Sequence, residues 1–316
     1  MQSHKNNIIL NKQNWQEYLV EFRRLAPNFR WNEFSDAARS IGLGEMDKQD
    51  SISVIDDPEC SDVLCNYVRL PDDFYAKEIC KRCATVRRII KVWGDGKDVA
   101  TLCEDLKSRQ SYYSDEFSRA KSWGVKFERH GRIGRSGMTY IEKRELLSKI
   151  IPSLSSTYGE VKINNPELEL LYLEDWSTFQ TERTALLAQN NIESSSNDNN
   201  QELITNFENL YQPLRCMFGH IIADGPSIFH DFALNTRPFV GTTTMNPVCS
   251  HLSANAALVT SDQLVLDPFC GTGSLLVGAA YLGETEQIVC IYVCIYVCVV
   301  YICVFMYVCI CILYTN

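Results

Sequence analysis

Residues 264–280 read LVLDPFCGTGSLLVGAA, and the fold turns on how that stretch divides. Gln263–Leu266 predicts a short buried strand, Asp267–Gly273 a loop, and Ser274–Leu282 a helix closed by Gly283. A strand that delivers an acidic residue and two glycines to the start of a helix is how doubly wound folds receive an adenosine-bearing ligand. Gly271 and Gly273 let the backbone turn tightly and approach such a ligand, and Asp267 at the strand's end can accept hydrogen bonds from an ammonium group. The dinucleotide fingerprint G-x-G-x-x-G is not met, because Leu276 occupies the third glycine position. The competing reading is a tight strand-to-helix turn that holds no ligand. Cys270, inside the loop, reads as a packed thiol rather than a reactive one.

The chain has 316 residues, enough for two domains that each bury a core. Of its 14 cysteines, Cys290, Cys294, Cys298, Cys303, Cys309 and Cys311 fall in an apolar C-terminal stretch. The opening MQSHKNNIILNKQNWQEY lacks the apolar core of a secretory signal, so a reducing, cytoplasmic setting is expected. Cys80 and Cys83 make a single C-x-x-C, which reads as two helix-borne thiols, and no metal ligands are nominated. The formal charge of -9 argues against a nucleic-acid partner, since phosphate backbones are bound largely by lysine and arginine displacing counterions. Its distribution reverses that argument. Ala76–Ile150 carries 18 Lys+Arg against 10 Asp+Glu, a net of +8 that leaves -17 for the rest. Such asymmetry marks a polyanion-binding module in an acidic chain, or else a set of solvated helix faces.

Earlier in the chain, Tyr18, Phe22 and Leu25 recur at helical spacing and Pro27 ends the helix they predict. LCNYVRLP predicts a strand, and DDFYAKEICKRCATVRRIIKVWGDG a helix capped by Asp72 or Asp73 and stopped near Gly94, with Arg82, Arg87, Arg88 and Lys91 along it. Gly124–Arg129 alternates as a strand does, HGRIGRSG forms a connection, and Thr139 with Glu142 has capping-box spacing for the helix that follows. That basic, glycine-punctuated connection could receive phosphates on backbone N–H groups and guanidinium forks, or be a tolerant surface loop. Arg87, Arg88, Lys91, Arg129, Arg132 and Arg135 are the expected RNA contacts. Val161–Trp176 reads as a strand, a turn at Asn165-Pro166 and a partly buried segment. Residues 188–206 hold almost no apolar content, and a disordered linker or insertion is expected there.

The run from FGHIIADG (218–225) through RPFVGTTTMNPVCSHLSANAALV (237–259) to DPFCGTGSLLVGAA (267–280) resembles the catalytic subunit of the eukaryotic tRNA (guanine-10-N2) methyltransferases. KVWGDGKD (91–98) is similar to the family as well, and the resemblance runs from about Trp15 to about Gly283. It implies an α/β fold. An N-terminal α+β THUMP-like RNA-binding region (1–187) and the linker (188–206) would precede an incomplete Rossmann-like class I methyltransferase domain (207–287) and an apolar tail (288–316). It also implies S-adenosylmethionine as cofactor, tRNA as substrate and a small zinc-binding activator subunit as partner. Asp267, Phe269, Gly271, Thr272 and Gly273 match the family's cofactor loop, and Thr242, Thr243 and Met245 match the segment that borders the methionine end.

Two expected parts are missing. The family orients the guanine amine with a D/N-P-P-Y/F loop, and the nearest stretches are Asn165-Pro166-Glu167, Asn246-Pro247-Val248 and Asp267-Pro268-Phe269, none of which has the second proline before an aromatic. No catalytic residue is therefore nominated, and the chain as written is expected to be inactive. The acidic residue that would hold the cofactor ribose after a second strand is absent too, because GETEQIV passes directly into the tail. The first strand is then expected to lack neighbours. Ile288–Tyr314 contains 27 uncharged residues, long enough for a membrane span, yet its Val, Ile, Cys and Tyr are poor helix material. VCIYVCIY can be encoded by alternating purine and thymine beginning GTATGT, so intron read-through is the favoured origin. The alternatives to a methyltransferase are a non-catalytic tRNA-binding module and a protein anchored in a membrane by residues 288–314.

Overall fold

The computed structural model describes residues 15–43, 51–52, 65–130, 137–156, 159–176, 213–227, 241, 244–261, 263, 265–267, 270–283, 288–294 and 307–312. The expected linker at 188–206, the loop positions Arg132 and Arg135, and Thr242, Thr243 and Phe269 lie outside the described residues. The chain divides into two compact units, one comprising 1–16, 20–89 and 222–316 and the other 17–19 and 90–221. It is a mixed α/β structure.

In the first unit, β1 (Gln16–Phe22) is followed by α1 (Arg30–Ser40), β2 (Ser51–Ile52), β3 (Cys65–Leu70), α2 (Asp73–Arg82) and the start of β4 (Val86–Gly96). The second unit takes the rest of β4, then α3 (Val99–Ser108), α4 (Gln110–Arg119), β5 (Ser122–His130), α5 (Tyr140–Ile150), β6 (Glu160–Val161), β7 (Leu168–Asp175) and most of β8 (Arg215–Asp224). The chain returns to the first unit for the end of β8, α6 (Pro247–Ala256), β9 (Val265–Asp267), α7 (Ser274–Gly283), β10 (Ile288–Cys294) and β11 (Tyr307–Ile312).

Strands of the first unit are ordered β2-β3-β1-β4-β8, with a separate sheet β11-β10-β9, and those of the second are ordered β4-β8-β7-β5-β6. β5 and β7 run parallel, whereas β7 and β8 are antiparallel, with Tyr172 opposite Phe218. The second unit's core is aromatic: the Trp93 ring is fully buried, stacked on Tyr113 at 4.6 Å and met edge-on by Phe117 at 5.7 Å.

Local signals decide several elements. The Asp72 carboxylate accepts from Phe74 N and Tyr75 N to start α2, and Thr139 and Glu142 close a reciprocal capping box on α5. On α1 the buried residues Arg30, Glu33, Phe34, Ala37 and Ala38 form one helical stripe. β3, β5, β9 and α7 fall where the sequence predicts strands and a helix. β9 is not the buried strand expected, with Leu266 54% exposed, and the segment after Asn165-Pro166, expected only to be partly buried, is the strand β7.

Two predicted helices are corrected. Tyr18 and Phe22 belong to a strand, β1, in which Tyr18–Phe22 are all buried. Residues four apart share a face in a strand as they do in a helix, so that spacing does not discriminate. The helix expected to run to Gly94 stops at Arg82, which moves Arg87, Arg88 and Lys91 onto β4. Ala84 N and Thr85 N, which a continuing helix would use internally, instead donate to the buried Glu33 carboxylate at 2.8 and 2.9 Å. A long-range acceptor, together with the β-branched run that follows, wins over local helix propensity.

The first strand of the glycine-loop sheet is not left without neighbours. β10 lies parallel to β9, with Ile288 opposite Val265 and Cys290 opposite Asp267, and β11 pairs antiparallel to β10. Among the described residues no helix is long and apolar enough to cross a membrane.

Candidate functional site

The β9–α7 connection forms the bend that the sequence predicts. Gly271 and Gly273 both sit at left-handed φ, +53° and +74°, where any other L residue would be strained. Gly273 N donates to Cys270 O at 2.7 Å, and Gly273 O accepts from Val277 N at 3.0 Å as the first helical bond of α7. A side chain at Gly273 would meet no atom of the described residues within 4 Å. Among the described residues the requirement there is conformational, not steric. Asp267 ends β9 half-buried, and Thr272 Oγ1 lies 3.3 Å from Ser274 Oγ at the helix entrance. Cys270 is buried in a cluster with Leu276, Val265 and Ala280, the packing its sequence context suggests.

The second expected segment lies beside the first. Thr244 Oγ1 accepts from Gly241 N at 2.8 Å, and Thr244 N donates to Gly241 O at 3.1 Å, which ties Gly241 to Thr244. A Cβ built on Gly241 would approach Thr272 Cγ2 to 3.1 Å, which places Gly241 against the glycine loop. Met245 is 38% exposed beside it. Asn246 caps α6 through Val248 N at 2.8 Å, with Pro247 in the first turn, so Asn246-Pro247-Val248 starts a helix. Asn165, of Asn165-Pro166-Glu167, holds φ +48° in a turn.

α6 and α7 pack closely behind the loop. A Cβ at Gly278 would sit 2.8 Å from Ser250 O. His251 of α6 is 1% exposed, with its ring 4.9 Å from that of Tyr281. Burial is the main cause that lowers its pKa from the ordinary 6.5 to about 4, with the Arg82 charge adding to it against a hydrogen bond to the Pro247 backbone. An imidazole that protonates more readily unfolded than folded makes stability rise with pH between those two values. Acidifying from pH 7.5 to 5 is expected to cost about 2 kcal/mol through this group. The difference in denaturant midpoint between the wild type and His251→Phe over that range isolates it from Glu33, whose raised pKa acts with the opposite sign. Equal pH profiles for the two proteins would refute the assignment.

A cavity of about 340 Å³ lined by Ser40, Glu78, Lys81, Arg82, Thr260 and Tyr281 lies at the other end of α7 and does not include the glycine loop. The C-x-x-C thiols are buried in α2 and at its C-cap. Cys80 Sγ points to Ala223 O at 3.5 Å and Cys83 Sγ to Glu33 O at 3.9 Å, and burial pushes Cys80 up to about 12 and raises Cys83 as well.

The basic residues expected to meet RNA fall into different settings. Arg87 pairs with Glu21 and keeps 43% of its side chain exposed. Arg88 is buried, 3.1 Å from Glu21, and Lys91 is buried, 3.5 Å from Glu116. Arg129 is 8% exposed, with Nε on Glu174 at 2.7 Å and Nη2 on Glu142 at 3.2 Å. Residues that the sequence reading did not nominate, Glu33, Arg82, Asn255 and Gly278, hold α6 and α7 in place. Nothing in their local patterns marks them.

The family described as the Tmrp11 THUMP N-terminal domain matches residues 16–188, and that described as the RMKL-like methyltransferase domain matches residues 235–291. The tRNA (guanine(10)-N(2))-methyltransferase TRMT11 of Dictyostelium discoideum is 26% identical over 274 residues, covering 84% of this chain and 49% of that protein. The tRNA (guanine(10)-N(2))-methyltransferase of Saccharomyces cerevisiae is 25% identical over 274 residues, covering 85% of this chain and 53% of that protein. The chain thus spans about half the length of the curated relatives it matches. Among solved structures, TrmN from Thermus thermophilus superposes with a TM-score of 0.41 at 15% identity, covering 87% of this chain and 64% of that one.

Proposed function

We propose, from the premise that the chain belongs to the Tmrp11 THUMP N-terminal domain family, that it is part of a methyltransferase that modifies a guanosine N2 of tRNA with S-adenosylmethionine as donor. The observation that carries the reading is the paired left-handed bend at Gly271 and Gly273, with Gly241, hydrogen-bonded to Thr244, packed beside Thr272. A backbone bare of side chains at the mouth of a helix accepts close approach of a nucleoside. In this reading Asp267, Phe269, Gly271, Thr272 and Gly273 hold the cofactor, and Thr242, Thr243 and Met245 border its methionine end. When bound, the sulfonium supplies an electrophilic methyl group. The residues of this chain bind and orient it, and Asp267 offers its carboxylate to the ammonium group.

RNA binding is assigned to the basic stretch 76–150, with its net charge of +8. Arg132 and Arg135 in the HGRIGRSG loop, with Arg87, are the direct phosphate contacts of this proposal. Arg88, Lys91 and Arg129, buried on the carboxylates described above, are not assigned to the RNA in this proposal. A small zinc-binding activator subunit is the partner that the family resemblance supports.

Calorimetry with S-adenosylmethionine tests the cofactor half. Gly273→Ala is expected to weaken binding about tenfold, because alanine at that φ is strained by about 1–2 kcal/mol. Unaltered affinity would remove the glycine bend from the site. Arg132→Glu with Arg135→Glu is expected to weaken tRNA binding and flatten its dependence on salt. A slope unchanged from wild type would locate the contact elsewhere.

A further inference from the structure

Glu33 on α1 is 3% exposed and accepts four hydrogen bonds. Three come from the α2–β4 connection: Ala84 N at 2.8 Å, Thr85 N at 2.9 Å and Thr85 Oγ1 at 2.5 Å. The fourth comes from Asn255 Nδ2 on α6 at 3.0 Å, and Asn255, itself fully buried, also donates to Arg82 O at 3.0 Å. Arg82 continues the chain of bonds, with Nη1 on Leu282 O at 2.9 Å and Nη2 on Val259 O at 2.7 Å. Burial pushes the Glu33 carboxyl's pKa up, and the hydrogen bonds from Thr85, Ala84 and Asn255 pull it down.

The four donors satisfy both carboxylate oxygens, an arrangement suited to a buried anion and not to a protonated acid. Asn255, Val259 and Leu282 are the points at which this network grips α6, the α6–β9 connection and the end of α7. α6 starts at Pro247, three residues after Thr244, and α7 starts directly after Gly273. Gly278 lets α7 lie against Ser250 of α6, so a shift of either helix moves both sides of the glycine loop.

We propose that Glu33 and Asn255 are positioning residues for the cofactor loop: a carboxylate in the THUMP N-terminal family region holds the helices that set the loop's geometry, so that affinity for the methyl donor depends on residues that do not touch it. The assignment of the loop as a donor site rests on the reading above; the latch itself does not.

Asn255→Ala removes the bond from α6 and leaves the Ala84 and Thr85 donors to Glu33 in place. It is expected to speed amide hydrogen exchange across residues 247–256 and 270–283 about tenfold, the effect of losing one hydrogen bond to a buried charge. Exchange in β5 and β7 stays as in wild type, and S-adenosylmethionine binds about tenfold more weakly. Glu33→Gln acts in the same direction and more strongly. Thr85→Ala, which removes a donor to Glu33 without touching α6, leaves both readouts unchanged. The proposal is overturned if Asn255→Ala leaves exchange at 247–256 and 270–283 unaltered, if it speeds exchange without weakening cofactor binding, or if Thr85→Ala has an equal effect. A wild-type chain that fails to bind S-adenosylmethionine at all would sink the donor-site reading, and hydrogen exchange would still decide whether the latch exists.

Discussion

Trp93→Ala is expected to destabilise the second unit by about 4 kcal/mol, the largest loss of any single substitution considered for this protein. Trp93 is fully buried, stacked on Tyr113 at an interplanar angle of 9° and flanked by Phe117 and Phe218 at 5.7 and 6.3 Å. Truncation removes the transfer free energy of a large ring, the aromatic contacts and the filling of the space they share, and neighbours anchored on a helix and a strand collapse only partly into the gap. Trp93→Phe keeps a ring in place and is expected to cost roughly half as much. Denaturant unfolding measures both. A loss below about 1 kcal/mol for Trp93→Ala would mean that the aromatic cluster is not the unit's core. Because this unit contains most of the basic stretch, the proposed tRNA binding is expected to weaken in parallel with the unfolded fraction.

Gly278→Val is expected to cost about 3 kcal/mol. Its Cβ would stand 2.8 Å from Ser250 O and 2.9 Å from Ser250 C, and backbone atoms of a helix cannot step aside as the end of a side chain can. α6 and α7 would have to separate, opening the cluster of Ala254, Val259, Ala279 and Leu282. Gly278→Ala is the informative companion. Alanine is favoured over glycine in a helix by about 1 kcal/mol, so a net loss in this variant would show that contact outweighs propensity. A Gly278→Val protein as stable as wild type would rule out the close approach of the two helices.

Both substitutions act where the sequence is legible only in part. The glycine bend could be read from DPFCGTG because a strand-to-helix turn needs positive φ at fixed positions, and only glycine meets that demand without strain. Asp72 and the Thr139–Glu142 pair could be read for a similar reason: a cap is satisfied by atoms two or three residues away. Gly278 sits in an ordinary helical run, and its purpose appears only when Ser250, 28 positions earlier, is brought against it.

The basic residues illustrate the same divide. Charge counts marked 76–150 as an electropositive stretch, but a count does not distinguish a solvated arginine from one spent on a neighbour. Arg129 is held between Glu174 and Glu142, and the Glu174 carboxylate also accepts from Trp176 Nε1 at 2.9 Å and Tyr172 O–H at 3.1 Å. Glu142 and Glu174 lie 13 and 45 residues further along the chain, and nothing local to VKFERHG announces them.

What this amino-acid sequence determined unaided is whatever depends on neighbours a few bonds away: the caps, the left-handed glycines, the strand-loop-helix around Asp267 and the family to which these motifs belong. Tertiary structure decided whether Tyr18–Phe22 and Val86–Gly96 became strands, which cations were spent on buried carboxylates, and which residues hold α6 and α7 behind the loop. The physical reason is that a buried charge such as Glu33 must collect donors from wherever the chain can bring them, and the free energy of leaving it unsatisfied exceeds the small local preference that would have continued the helix through Ala84 and Thr85.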